Sequence, residues 1–155
     1  EDDGSYWGYT TRLAESLNAV FDGCPFSEEG YDLKIGTSER GDVSVDEGKF
    51  SLPDYKHALV VFGGVAGIEE CIDADENMKI SGAQSRKLFD LWVNVCPYQG
   101  SRTIRTEEAV LISLARLSPF LASNEEVVSK ESAALSGTEG FSDDSPSDES
   151  SEEDD

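Results

Sequence analysis

The chain has 155 residues, 33 acidic against 12 basic side chains and a formal net charge of −21. Phosphate attraction supplies most non-specific affinity for nucleic acid, so this balance excludes the broad basic face of an ordinary nucleic-acid-binding domain, and RNA contact has to be local. Residues 122–155 hold 12 of the acids and one of the bases, so about half of the excess belongs to a tail, and the length leaves room for one domain before it.

Apolar residues Tyr9, Leu13, Leu17, Val20 and Phe21 recur at three- and four-residue steps and predict one face of a helix that Gly23-Cys-Pro25 ends. Tyr31-Asp-Leu-Lys-Ile35 alternates as a short strand does, and Gly36-Thr-Ser-Glu-Arg-Gly41 is a loop with a glycine at either end. Residues 42–54 are expected to be a surface connection. His57-Ala-Leu-Val-Val-Phe62 is a continuous apolar run, as in a parallel sheet covered on both faces, and Gly63-Gly64 stops it. A short helix over 65–73, a second buried strand over 88–93 and a helix over 106–117 follow. That last helix offers Ala109, Ile112, Ala115 and Leu117 for packing, with Thr106 as its cap and Glu107 and Glu108 complementing the positive end of its dipole. Strands alternating with helices make an α/β domain over residues 1–122. Residues 123–155, rich in Ser, Glu and Asp, cannot bury enough apolar area to offset their ordering entropy and are expected to be a disordered acidic tail. Ser142-Asp-Asp-Ser145 and Ser150-Ser-Glu-Glu-Asp-Asp155 suit an acid-directed kinase and contacts with nuclear protein partners.

Cys24, Cys71 and Cys96 follow no CxxC or Cys/His spacing, so neither a disulfide framework nor a metal site is expected, and a reduced intracellular compartment fits. No apolar run reaches the length of a membrane span. A start without Met, followed almost at once by a helical pattern, is expected of a segment of a longer chain. Gly63-Gly-Val-Ala-Gly67 lacks the GxGxxG spacing of a dinucleotide fingerprint, although glycine does admit a ligand close to the backbone. Asp73-Ala-Asp-Glu-Asn-Met-Lys-Ile-Ser-Gly-Ala-Gln84 starts like a calcium loop, but Met78 replaces the turn glycine and Gln84 the bidentate glutamate. His57, the one histidine, is read as a structural residue at a strand entrance.

The most specific stretch is a buried strand running into Asn94-Val-Cys-Pro-Tyr-Gln-Gly-Ser-Arg-Thr-Ile-Arg105 and straight into a helix. Together with Ile35-Gly-Thr-Ser-Glu-Arg-Gly41 and Ala58-Leu-Val-Val-Phe-Gly-Gly64, it resembles the SPOUT-class RNA methyltransferases of eukaryotes and archaea over residues 5–121. The resemblance implies an α/β parallel sheet with a C-terminal trefoil knot and S-adenosyl-L-methionine as cofactor. It also implies an RNA substrate, uridine N3 of ribosomal RNA included, and a homodimer. A nuclear or nucleolar location, with cytoplasmic or spindle association, goes with it. Phe62, Gly63 and Gly64 match the second family motif, and Pro97, Gly100, Ser101, Thr103, Ile104 and Thr106, after Asn94, match the third; all would bind the cofactor. The family's first strands and its inserted β-barrel are not in this sequence.

Methyl transfer from an activated donor asks the protein mainly to align the nucleophile and manage its proton. Arg40, Arg102 and Arg105 are the candidates for holding phosphate or the target base, and Glu39 for the base catalyst; pairing of Arg102 and Arg105 with Glu107, Glu108 or other surface acids is the plain alternative. A non-catalytic domain that binds RNA or a mitotic partner on a retained knot is the second functional reading, and an acidic chaperone-like tail protein the third.

Overall fold

The computed structural model describes the fold of residues 10–136 and the side chains of residues 10–122. Four strands, β1 (Leu33–Thr37), β2 (Val43–Ser44), β3 (Ala58–Val61) and β4 (Leu91–Asn94), form one sheet in the order β2-β4-β1-β3. Every pairing is parallel: Ile35 lies opposite Val60 and Leu91, and Val43 opposite Val93. Since all four strands run the same way, the segments that leave β1, β3 and β4 emerge at one edge of the sheet.

Alternation along the strands builds two cores. Leu33, Ile35, Val93 and Val95 face one side, where they meet Leu117 of the long helix α3 (Thr106–Ser136). Trp92 and Phe89 face the other with Ile68 and Ile72 of α2 (Ile68–Asp73), and Leu17 and Phe21 of α1 (Leu17–Asp22) pack against them. Gly36 faces Trp92, whose ring occupies the place a Cβ would take. A 3-10 turn (Gly82–Leu88) joins α2 to β4, anchored where the Asp73 carboxylate accepts the Gly82 N–H at 2.7 Å.

Several expectations are corrected. The first helix begins only at Leu17: Ser16 is extended, its hydroxyl accepts the Ala19 N–H at 3.1 Å, and this cap sets the start. Leu13, expected on the core face, is 99% exposed, and Tyr9 lies outside the described residues. Gly23 does end the helix, and the Arg12 guanidinium donates to its carbonyl at 2.7 Å. Residues 42–54 are more than a surface connection, because they supply β2 and the buried Val45. β3 is half-buried along its length, since it stands at the sheet edge instead of inside it.

The last helix does not stop near Leu117. It crosses Pro119 and continues to Ser136, so the expected boundary at residue 122 falls inside a helix. Proline removes the N–H that would bond the carbonyl four residues back, and the Ser118 hydroxyl donates to that Ala115 carbonyl at 3.4 Å. The sequence beyond keeps good helix formers, among them Glu125, Glu126, Lys130, Ala133, Ala134 and Leu135. The acidic segment over 137–155 lies outside the described residues.

Candidate functional site

Glycines let the loops at the C-terminal edge of the sheet approach one another. After β1 the chain turns at Ser38, where Ser38 N–H donates to the Val93 carbonyl at 3.0 Å and Gly41 N–H to the Ser38 carbonyl at 3.1 Å. A Cβ on Gly41 would overlap the backbone of Asn94, so the first loop lies directly against the third. After β3, Gly63 is pressed against the Gly67–Ile68 peptide with no room for a side chain, and Gly67 N–H closes a turn on the Gly64 carbonyl at 2.9 Å. Gly67 has φ +94°, a backbone conformation that glycine adopts without strain.

Side chains bind the loops together. Thr37 donates its hydroxyl to the Val61 carbonyl at 3.0 Å, and the Asn94 amide donates to the Glu39 carbonyl at 2.9 Å while its oxygen accepts the Cys96 N–H. Within the third loop the Gln99 amide donates to the carbonyls of Ser101 and Arg102, and the Ser101 hydroxyl to that of Thr103. Thr106 is the first residue of α3 rather than its cap. Its hydroxyl donates to the Gly63 carbonyl at 3.1 Å, and the capping contact runs instead from the Arg105 N–H to the Glu108 carboxylate at 2.8 Å.

The three loops and the first turns of α3 enclose a cleft of about 320 Å3. Open parallel sheets bind ligands at this position, beyond the carboxyl ends of the strands where successive connections diverge. Of the residues singled out in the sequence, Glu39, Arg40, Phe62, Gly63, Gly64, Asn94, Arg102, Thr103 and Ile104 line it. Pro97, Gly100, Ser101, Arg105 and Thr106 do not; Ser101 and Thr106 shape the wall through their hydrogen bonds, and a Cβ on Gly100 would meet nothing within 4 Å. The Arg105 guanidinium lies 3.7 Å from the Glu107 carboxylate on the exposed surface, and that of Arg40 lies 3.9 Å from Glu39 at the cleft.

Sequence reasoning missed Thr37, Glu69, Gln99, Ala109 and Ser113, which also line the cleft. Ala109, Ser113 and Leu117 recur at four-residue steps and form the sheet-facing stripe of α3, in place of the expected stripe that included Ala115, which is exposed. A serine in the middle of that stripe was the available signal. The cleft is apolar along Phe62, Val95, Ile104 and Ala109 and charged at Glu39, Arg40, Glu69, Glu70 and Arg102. Elsewhere, Asp73 and Asp75 accept backbone N–H groups, and among the described residues no three His, Cys, Asp or Glu side chains converge as metal ligands. Among those residues no helix is long and apolar enough to cross a membrane.

A family model described as "Putative RNA methyltransferase" matches residues 1–117. The 28S rRNA (uridine-N(3))-methyltransferase of Homo sapiens is 60% identical over 118 residues, 76% of this chain and 30% of that protein. The mouse protein of the same name is 55% identical over 134 residues, 86% of this chain and 32% of its own length. The Drosophila melanogaster protein is 46% identical over 116 residues, 75% of this chain and 23% of its own. The chain therefore spans about a third or less of each of these relatives.

Proposed function

The chain belongs to the family that this model describes, and from that membership we propose that it forms the cofactor-binding part of an S-adenosylmethionine-dependent enzyme that methylates N3 of uridine in ribosomal RNA. The observation that carries the reading is the convergence of the loops after β1, β3 and β4 on one cleft with an apolar wall and a charged rim. The residues present fit the cofactor. Phe62, Val95, Ile104 and Ala109 offer apolar surface to a flat purine, Glu69 and Glu70 offer carboxylates to an ammonium group or ribose hydroxyls, and the buried Ser113 hydroxyl has no hydrogen-bond partner among the described residues. When bound, S-adenosylmethionine supplies a methyl group already activated on a sulfonium.

The work left to the chain is to position the base and manage one proton, because uridine N3 bears a hydrogen that must leave as the N–C bond forms. Glu39, on the rim, is the carboxylate offered to that proton. Arg40 and Arg102, on the same rim, stabilise the negative charge that grows on the uracil oxygens or hold the flanking phosphate. These cations sit locally in a chain of net charge −21, as a strongly acidic protein that binds RNA requires.

The finer architecture belongs to the same proposal. The chain after β4 threads a trefoil knot, with the Thr106 to Gly63 bond closing the third loop on the second. The enzyme is a homodimer, supported by Leu111 and Leu114, three residues apart on α3 and 71% and 46% exposed. A ribosomal RNA substrate supports a nuclear or nucleolar location, and the acidic tail a role in protein contacts there. Calorimetric titration of the full-length protein with S-adenosylmethionine tests the reading: one site per chain, abolished by Gly64→Val, is expected, and no binding to the wild type would overturn it.

A further inference from the structure

The geometry points to Ser113 as a residue that binds the nucleoside end of the cofactor from within α3, outside the loops that carry the family motifs. Ser113 is 0% exposed and is the one buried side chain whose polar atom lacks a hydrogen-bond partner among the described residues. Serine within a helix usually relieves its hydroxyl by donating to the carbonyl four residues back; Ser113 does not bond Ala109 in this way. A buried hydroxyl left unpaired costs stability, and such groups concentrate where a ligand completes them.

Its surroundings identify the ligand chemistry. Ser113 lines the cleft one turn beyond Ala109 on the same helix face, and the lining it shares holds the apolar Phe62, Val95 and Ile104 as well as the charged Glu39, Arg40, Glu69, Glu70 and Arg102. A purine nucleoside is the flat, weakly polar part of the cofactor, and it suits the apolar wall; the ammonium group of the amino-acid part suits the carboxylates. A hydroxyl both donates and accepts, so Ser113 is matched to a ring nitrogen, an exocyclic amine or a ribose oxygen arriving there. Ala109 and Ser113, both small, line the cleft, and Leu117 at the next step belongs to the core.

This inference rests on the cofactor reading above, and the test separates the two. In the full-length protein, Ser113→Ala removes the hydroxyl and keeps the packing. Affinity for S-adenosylhomocysteine and for adenosine should fall by the same factor, roughly five- to tenfold, the loss expected for one buried hydrogen bond. The melting temperature of the ligand-free variant should equal or exceed that of the wild type, because an unpaired donor has been removed. If the wild type binds S-adenosylhomocysteine and the variant binds both ligands equally well, the Ser113 assignment is overturned while the cofactor reading stands. A loss confined to S-adenosylhomocysteine, or a fall of several degrees in the ligand-free melting temperature, also overturns it, by assigning the residue to the amino-acid end or to the fold. A wild type that binds neither ligand overturns both.

Discussion

The Thr106 hydroxyl donates to the Gly63 carbonyl at 3.1 Å and so ties the start of α3 to the loop after β3, whose Gly63 lines the cleft. Thr106→Val keeps the shape and leaves a part-buried carbonyl without its donor. The variant should lose about 1 kcal/mol of stability, the net worth of one such bond, and bind S-adenosylmethionine more weakly. Chemical denaturation and titration check the two effects; a variant unchanged in both would mean that the loops hold their places independently.

Gly63 and Gly64 are adjacent in sequence and opposite in consequence. A Cβ on Gly63 would overlap the Gly67–Ile68 peptide, whereas on Gly64 it would meet only the Cys71 sulfur at 3.8 Å, and both residues line the cleft. Gly63→Ala is expected to unfold the loop and lower the melting temperature. Gly64→Val should melt within a few degrees of the wild type and lose the ligand. Differential scanning fluorimetry with and without S-adenosylhomocysteine distinguishes the two glycines.

These contrasts bear on how much was legible in the sequence. Apart from β2, which lies in a segment expected to be a surface connection, the order of strands and helices was readable because apolar runs such as Ala58–Val61 and glycine stops such as Gly63-Gly64 report local structure directly. The cleft was readable where it is built from loop motifs, and nine of the residues singled out line it. Ser113 was hidden because a buried polar side chain on a helix looks like any exposed serine until packing shows which stripe faces the sheet. The early helix was overread because the spacing of Leu13 and Leu17 fits a helix, while the Ser16 cap decides where it starts. The extension past Pro119 went unread because proline marks a helix end more often than an interior position.

Position separates the arginines. Arg102 and Arg40 line the cleft, and Arg105 sits outside it beside Glu107. Arg102→Ala should lower RNA methylation by about 1 to 3 kcal/mol of transition-state or binding energy with cofactor affinity unchanged. If it holds phosphate, the salt slope of RNA affinity becomes shallower by about one unit. Arg105→Ala should be mild, because its partner is an exposed carboxylate and such pairs contribute little. Equal, severe losses in both variants would move the RNA path across the start of α3.

Asp32 fixes the entrance to the sheet. Its carboxylate accepts the N–H groups of His57 at 2.7 Å and Lys56 at 2.8 Å, which hold its pKa below the usual aspartate range. A carboxyl whose pKa is lower in the folded state contributes stability that is present above its unfolded value and lost as pH falls through the folded value. Asp32→Asn should therefore be less stable than the wild type at neutral pH, and the difference should shrink below the ordinary aspartate pKa. Melting curves across that window check the sign; a gap that stays constant into acid would assign the loss to packing.

The central claim is that this cleft serves methyl transfer to uridine in ribosomal RNA, and nucleoside mass spectrometry of that RNA tests it most directly. In cells depleted of the full-length protein, N3-methyluridine should fall to background, return with the wild-type protein and stay absent with Gly64→Val. An unchanged level of N3-methyluridine after depletion, or full restoration by Gly64→Val, would contradict the account.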